Sequence, residues 1–102
     1  MSGIVYKLSC QNCSVNYIGE SGRRLRDRMS EHKNDINNKK QNSNVYAHVR
    51  DFFHVFDFEN VKIIDKCDKK WTRRKLEGIY THLDSNAINR AWEPDGVYQT
   101  VI

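Results

Sequence analysis

The chain has 102 residues, 38% apolar and 29% charged, with a formal net charge of +4 and a pI near 9.1. That length holds one core of modest size, and no apolar run approaches the roughly 18 residues a membrane-spanning helix needs. A basic balance suits a polyanionic partner, and the start of the chain shows no basic-then-apolar leader, so an intracellular setting is expected.

Taken in chain order, Ser2–Ser9 and Ser14–Glu20 are β-like segments centred on Ile4-Val5-Tyr6-Lys7-Leu8 and Val15-Asn16-Tyr17-Ile18-Gly19. Their short connection predicts an antiparallel hairpin with Cys10-Gln11-Asn12-Cys13 at its turn. Ser21-Gly22 breaks the pattern, after which Leu25, Met29, His32 and Ile36 recur at helical spacing through about Asn37. This puts Arg28 and His32 one turn apart on one helix face. Asn34 to Asn44 is a polar loop. A short helix is expected from Val45 to about Phe52, capped by Ser43 or Asn44. From Phe56 to Ile64 apolar and polar residues alternate, which predicts a third strand. Leu76, Ile79, Tyr80 and Leu83 then fall at i, i+3, i+4 and i+7, predicting an amphipathic helix over Lys69–Leu83 with Trp71 near its start and Asp84-Ser85-Asn86 at its end. The tail carries Ile88-Asn89-Arg90-Ala91-Trp92, the only proline (Pro94) and a last apolar stretch, Val97-Tyr98.

Basic residues cluster twice, at Arg23, Arg24, Arg26, Arg28 and Lys33 and at Lys66, Lys69, Lys70, Arg73, Arg74 and Lys75. The second cluster is either an anion-binding surface or an ordinary solvated helix face. Three cysteines cannot all pair, and Cys10 with Cys13 would close a very short loop. Such a pair is more often redox-active or half of a metal site, and its place between two strands rather than at a strand-to-helix turn favours metal. His48-x5-His54 supplies a second pair. Both spacings suit a structural zinc site, whereas the 34 residues between Cys13 and His48 are far more than a free-standing finger has. The expected device is a clip that ties the hairpin turn to the second helix; the alternative is incidental thiols and two surface histidines.

Tyr6, Tyr17, Arg28, His32, Glu77 and Asn89 form a second constellation. Cleaving a phosphodiester needs a base for the attacking water, a cation for the charge developing on the non-bridging oxygens, and help for the leaving oxygen. The planar fork of arginine binds two phosphate oxygens, and a lone carboxylate such as Glu77 can hold a divalent ion against the same phosphate. Packing tyrosines and a solvated glutamate are the plain alternative.

Gly3-Ile4-Val5-Tyr6, then Tyr17-Ile18-Gly19, Arg28 and His32 on a helix, Glu77 on a later helix and Asn89 near the end resemble the GIY-YIG nuclease domain over nearly the whole chain. The first motif is one residue longer than Gly-Ile-Tyr, so either Gly3 or Ile4 holds the family's glycine position and only Tyr6 carries over. Cys10, Cys13, His48 and His54, with Phe56-Asp57-Phe58-Glu59-Asn60-Val61 and Asn86-Ala87-Ile88-Asn89-Arg90, resemble the variant found in Penelope-like retroelements.

The resemblance implies an α/β fold of the α+β type: a three-stranded antiparallel sheet flanked by helices, forming one domain over 1–102 that is expected to be excised from a larger polypeptide. It also implies a DNA endonuclease with Mg2+ or Mn2+ at Glu77, structural Zn2+ on the Cys2His2 set, and Arg28 stabilising the transition state. Tyr6 would activate water, alone or assisted by Tyr17 and His32, and Asn89 would be a polar support. A reverse transcriptase would be the neighbour, the nick would prime copying, and the setting would be nuclear. A non-catalytic zinc-stabilised nucleic-acid-binding module is the competing reading, and a thiol redox protein is disfavoured.

Overall fold

The computed structural model describes residues 3–90. The hairpin forms as the two β-rich segments and their short connection predict: β1 is Ile4–Ser9 and β2 is Asn16–Ser21, antiparallel, with Tyr6 opposite Gly19 and Leu8 opposite Tyr17. A third strand, β3 (Lys62–Lys66), pairs antiparallel with the other side of β1, giving the order β2-β1-β3. As the central strand, β1 is covered on both faces, so it is apolar almost throughout. Its one lysine, Lys7, is tolerated because its ammonium reaches Asp84 at 3.2 Å.

Side chains alternate across β1. Ile4, Tyr6 and Leu8 point to one face, where Met29 of α1 (Leu25–Asn37), Val45 of α2 (Asn44–Phe52) and Phe56 complete the larger core. Val5 and Ile18 point the other way, onto Leu76 and Tyr80 of α3 (Lys70–Leu83) and Ala87. A short 3-10 helix, Ile88–Arg90, follows. The fold is thus α+β: a three-stranded antiparallel sheet with helices on both faces. Among the described residues no helix is long and apolar enough to cross a membrane.

Helix α2 starts as its sequence indicates, with the Ser43 hydroxyl accepting the Tyr46 N–H at 3.1 Å. It ends on Phe53, a bulky residue in the left-handed region (φ 57°) whose N–H reaches Val49 O at 2.9 Å. Glycine usually takes this position.

Two expectations need correction. The alternation at 56–61 is a turn, not strand: the Asp57 carboxylate accepts the Glu59 N–H and the Asn60 side-chain amide, while Phe56 and Phe58 tuck into the core from either side of it. The strand lies further on, at Lys62–Lys66. The buried face of α3 is also rotated from the predicted stripe, since Ile79 and Leu83 are 53% and 72% exposed while Arg73 is 6% exposed. Arg73 donates to Glu20 Oε1 at 2.9 Å and to the carbonyls of Cys67 and Asp68 at 3.2 and 2.9 Å, so its charge is met although it lies on the buried face. The second basic cluster is therefore not wholly a solvated face. The predicted apolar stretch at Val97-Tyr98, and Pro94, lie outside the described residues.

Two glycines are fixed by close approach. A Cβ at Gly3 would run into the Cys67 carbonyl, and one at Gly19 would run into the Tyr6 ring lying across β2. Because Tyr6 is fully buried it has nowhere to move. Gly19→Ala should therefore destabilise the domain by about 1–3 kcal/mol, the usual cost of overpacking, read as a fall in the thermal midpoint relative to an Ala substitution at the exposed Gln11.

Candidate active site

Tyr6 and Tyr17 are diagonal neighbours on one face of the hairpin, with ring centroids 6.4 Å apart. From α1 above them His32 comes down between the two rings, 5.1 Å from Tyr17 and edge-on to it. Its Nε2 shares a 2.7 Å hydrogen bond with the Tyr6 hydroxyl. Burial pushes the His32 pKa down to about 4, with the Arg28 charge adding to the effect, so the ring is neutral near pH 7. Its other nitrogen, Nδ1, is buried without a partner.

Burial also raises the pKa of both phenols. For Tyr6 the neighbouring Tyr17 adds to the rise, and for Tyr17 the Glu77 carboxylate does; for both, Arg28 pulls the other way. Arg28 keeps its charge, its pKa raised by the Tyr6, Glu31 and Tyr17 oxygens against the opposing effect of burial. One guanidinium thus faces two phenols and is the group that makes either of them more acidic.

Glu77 belongs to α3, on the opposite side of the sheet, yet its charge acts on Tyr17 and Tyr6. The two layers meet around β2, which is an edge strand. Burial first, and then the Glu20 carboxylate, raise the Glu77 pKa to about 7; the Glu20 backbone N–H, Arg28 and Arg74 lower it in part. Among the described residues no lysine or arginine lies within ion-pair distance of Glu77, whereas Glu20 pairs with Arg73 at 2.9 Å and Arg74 at 3.9 Å. A half-buried carboxylate without an ion-pair partner among the described residues, beside a second carboxylate, has the chemistry a divalent cation fits.

Asn89 sits on the open edge of β2. Its Oδ1 accepts the Ile18 N–H at 3.4 Å and its Nδ2 donates to the Ile18 carbonyl at 2.8 Å, as a neighbouring strand would. It holds β2 at Ile18, between Tyr17 and Gly19, rather than reaching into the site.

A separate cluster stands at the hairpin turn. Ligand atoms of Cys10, Cys13, His48 and His54 all lie within 4.8 Å of one another. Cys10 Sγ is 3.5 Å from His54 Nδ1, Cys13 Sγ is 3.4 Å from His48 Nε2, and the two nitrogens are 3.1 Å apart. A zinc tetrahedron with bonds of about 2.3 Å to sulfur and 2.0–2.1 Å to nitrogen has sulfur–nitrogen edges near 3.5 Å and nitrogen–nitrogen edges near 3.3 Å. These four residues could form a zinc site. The left-handed Phe53 turns His54 back towards His48, and backbone bonds between Gln11 N and Val55 O and between Asp57 N and Ser9 O, both 2.8 Å, dock the segment on the hairpin.

The model for the GIY-YIG catalytic domain matches residues 2–84. The chain belongs to the GIY-YIG family. Domains of this family are nucleases, so the chain is a nuclease domain and DNA is its substrate. Searches of curated proteins and of solved structures return no match. Asn89 lies beyond the matched residues.

Of the residues singled out from sequence, Tyr6, Tyr17, Arg28 and His32 share one face of the GIY-YIG sheet, Glu77 approaches across its edge, and Asn89 braces that edge. Glu20 and Arg73 were missed. Each had a signal: Glu20 directly follows Tyr17-Ile18-Gly19, and Arg73 stands one helical turn before Glu77.

A carboxyl whose folded pKa is raised binds more protons folded than unfolded, so the native state loses stability as pH climbs from about 4.5 through about 7. In Mg2+-free buffer at pH 8, Glu77→Gln should raise the thermal midpoint, by the equivalent of at most about 3 kcal/mol, and the gain should vanish at pH 4. Melting curves of the two proteins at both pH values check this.

Proposed function

We infer that this domain nicks DNA by metal-assisted hydrolysis, with the chemistry at the β2 edge and zinc at the hairpin turn serving structure only. The observation that carries the reading is the meeting of four groups of the required kinds: two phenols, one guanidinium facing both, and a carboxylate without an ion-pair partner among the described residues. Arg28 would grip the non-bridging oxygens of the scissile phosphate and meet the charge that grows there. Tyr6 would give its own proton to the neutral His32 Nε2, 2.7 Å away, and as phenolate take the proton of the attacking water, assisted by Tyr17. A phenol buried this deeply can lose its proton only if the charge left on its oxygen is met. Arg28 lowers its pKa, and His32 can donate from Nε2 to the phenolate once the proton has gone. Glu77 would hold Mg2+ or Mn2+, which when bound supplies a Lewis acid for the phosphate and leaving oxygens. Asn89 acts through β2, keeping Tyr17 and Gly19 in register.

Structural Zn2+ on Cys10, Cys13, His48 and His54 would close a long loop around α1, which a small core needs. That Cys2His2 set interleaved with the nuclease motifs supports assignment to the Penelope-like variant. On that assignment the chain is a single domain of a larger retroelement polypeptide that works in the nucleus beside a reverse transcriptase, and its nick leaves the 3′ hydroxyl that primes copying.

Supercoiled plasmid incubated with the zinc-loaded domain should be converted to open circles with Mg2+ or Mn2+ and not without. Arg28→Ala and Glu77→Ala should each lower the rate at least about 100-fold, as expected when transition-state charge stabilisation is removed. Robust nicking by either folded variant would contradict the assignment of the site.

A further inference from the structure

The guanidiniums of Arg23 and Arg28 share one carboxylate. Arg28 Nη1 donates to Glu31 Oε1 at 3.0 Å, and Arg23 Nη2 pairs with the other oxygen, Oε2. Arg28 and Glu31 are three residues apart on α1, but Arg23 comes from the turn that follows β2. That turn is anchored at both ends. Ser21 is buried at the end of β2 and its Oγ accepts the Arg23 N–H at 3.0 Å. Gly22 lies against the buried Arg73, where a Cβ would come within 2.9 Å of the guanidinium. The Arg23 backbone is therefore fixed beside the start of α1, while its side chain stays 64% exposed.

A carboxylate with each oxygen on a different guanidinium has the charge and the spacing of the two non-bridging oxygens of a phosphodiester. We propose that Glu31 holds the place of a DNA phosphate between Arg23 and Arg28, so that Arg23 is a second phosphate-binding residue and Glu31 an internal competitor that the substrate displaces. This rests on the reading of Arg28 as the residue that grips the scissile phosphate.

The exchange is physically easy. Side-chain exposures of 64% for Arg23, 26% for Arg28 and 32% for Glu31 leave the bridge open to solvent, and ion pairs this exposed contribute little to folding. Glu31 is nonetheless ionised near neutrality, because the two arginines outweigh its slight burial and hold its pKa below the usual carboxylate range. Incoming DNA replaces one anion by another of the same geometry and gains counterion release that the carboxylate cannot offer. Each Arg then contacts phosphate, and Arg23 extends the contact from the active site towards the neighbouring backbone. If Glu31 instead only oriented Arg28, losing its charge would harm the enzyme rather than help it bind.

The test is the affinity of the zinc-loaded domain for a fluorescent DNA duplex, measured by anisotropy without Mg2+ between about 50 and 200 mM salt. Glu31→Gln should bind roughly two- to tenfold tighter, the span that releasing two half-exposed ion pairs allows. Arg23→Ala should bind more weakly, with the slope of log affinity against log salt reduced by about 0.9, one phosphate contact. The gain from Glu31→Gln should shrink in the double variant. Binding by Glu31→Gln equal to or weaker than the parent, or an unchanged slope for Arg23→Ala, would overturn the proposal; should Arg23→Ala fail to fold, Glu31→Gln alone decides. Plasmid nicking with Mg2+ is read in parallel. The expected binding pattern without nicking by the parent would remove the catalytic reading and leave the phosphate clamp, whereas nicking with the wrong binding pattern would remove the clamp alone.

Discussion

Tyr6 has to be fully buried in the central strand and still bring its hydroxyl to the sheet's edge, and the route it takes lies over Gly19, where there is no side chain. Much of the rest follows from that crossing. With the ring laid across β2, its oxygen meets His32 Nε2, which fixes how α1 sits on the sheet. Arg28, one turn earlier on the same helix, is then carried over both phenols. Glu77 need only approach the β2 edge from the other face to act on the same oxygens. Asn89 keeps that edge in place by taking over the Ile18 backbone groups.

The hairpin also separates two kinds of potential ligand along its length. At its turn are thiols and imidazoles with tetrahedral edge lengths, a soft set suited to zinc. At its far end, beside Glu20, is a carboxylate without an ion-pair partner among the described residues, a hard ligand suited to magnesium or manganese. On the proposed reading, their different donor chemistry would let one strand pair serve both without exchange of ions.

Much of this was legible in the sequence because it depends on short-range pattern. The β-rich segments around Tyr6 and Tyr17 and their short connection gave the hairpin, the spacing of Leu25, Met29, His32 and Ile36 gave α1, and the two ligand pairs gave the cluster. Where the reading failed, a polar group had taken an apolar group's place. Arg73 is buried because Glu20 and two carbonyls, distant in the chain or invisible as backbone, satisfy it, so the apolar stripe on α3 was assigned about one residue out of phase. Phe56-Asp57-Phe58 alternates like a strand because a turn held by Asp57 can also send two rings inward. The Arg23–Glu31–Arg28 bridge was hidden because it joins the turn after β2 to α1, and the sequence shows only a cluster of basic residues there.

The central claim is that Glu77 holds a divalent ion at the β2 edge, beside Glu20 and Tyr17 and distinct from the cysteine–histidine cluster at the turn. Paramagnetic relaxation by Mn2+ in the zinc-loaded domain bound to a short duplex tests it directly. The account predicts selective broadening of the Glu20, Glu77, Tyr17 and Gly19 amides, with Cys13 and His48 unaffected. Broadening centred on the turn, or none at the β2 edge, would contradict it.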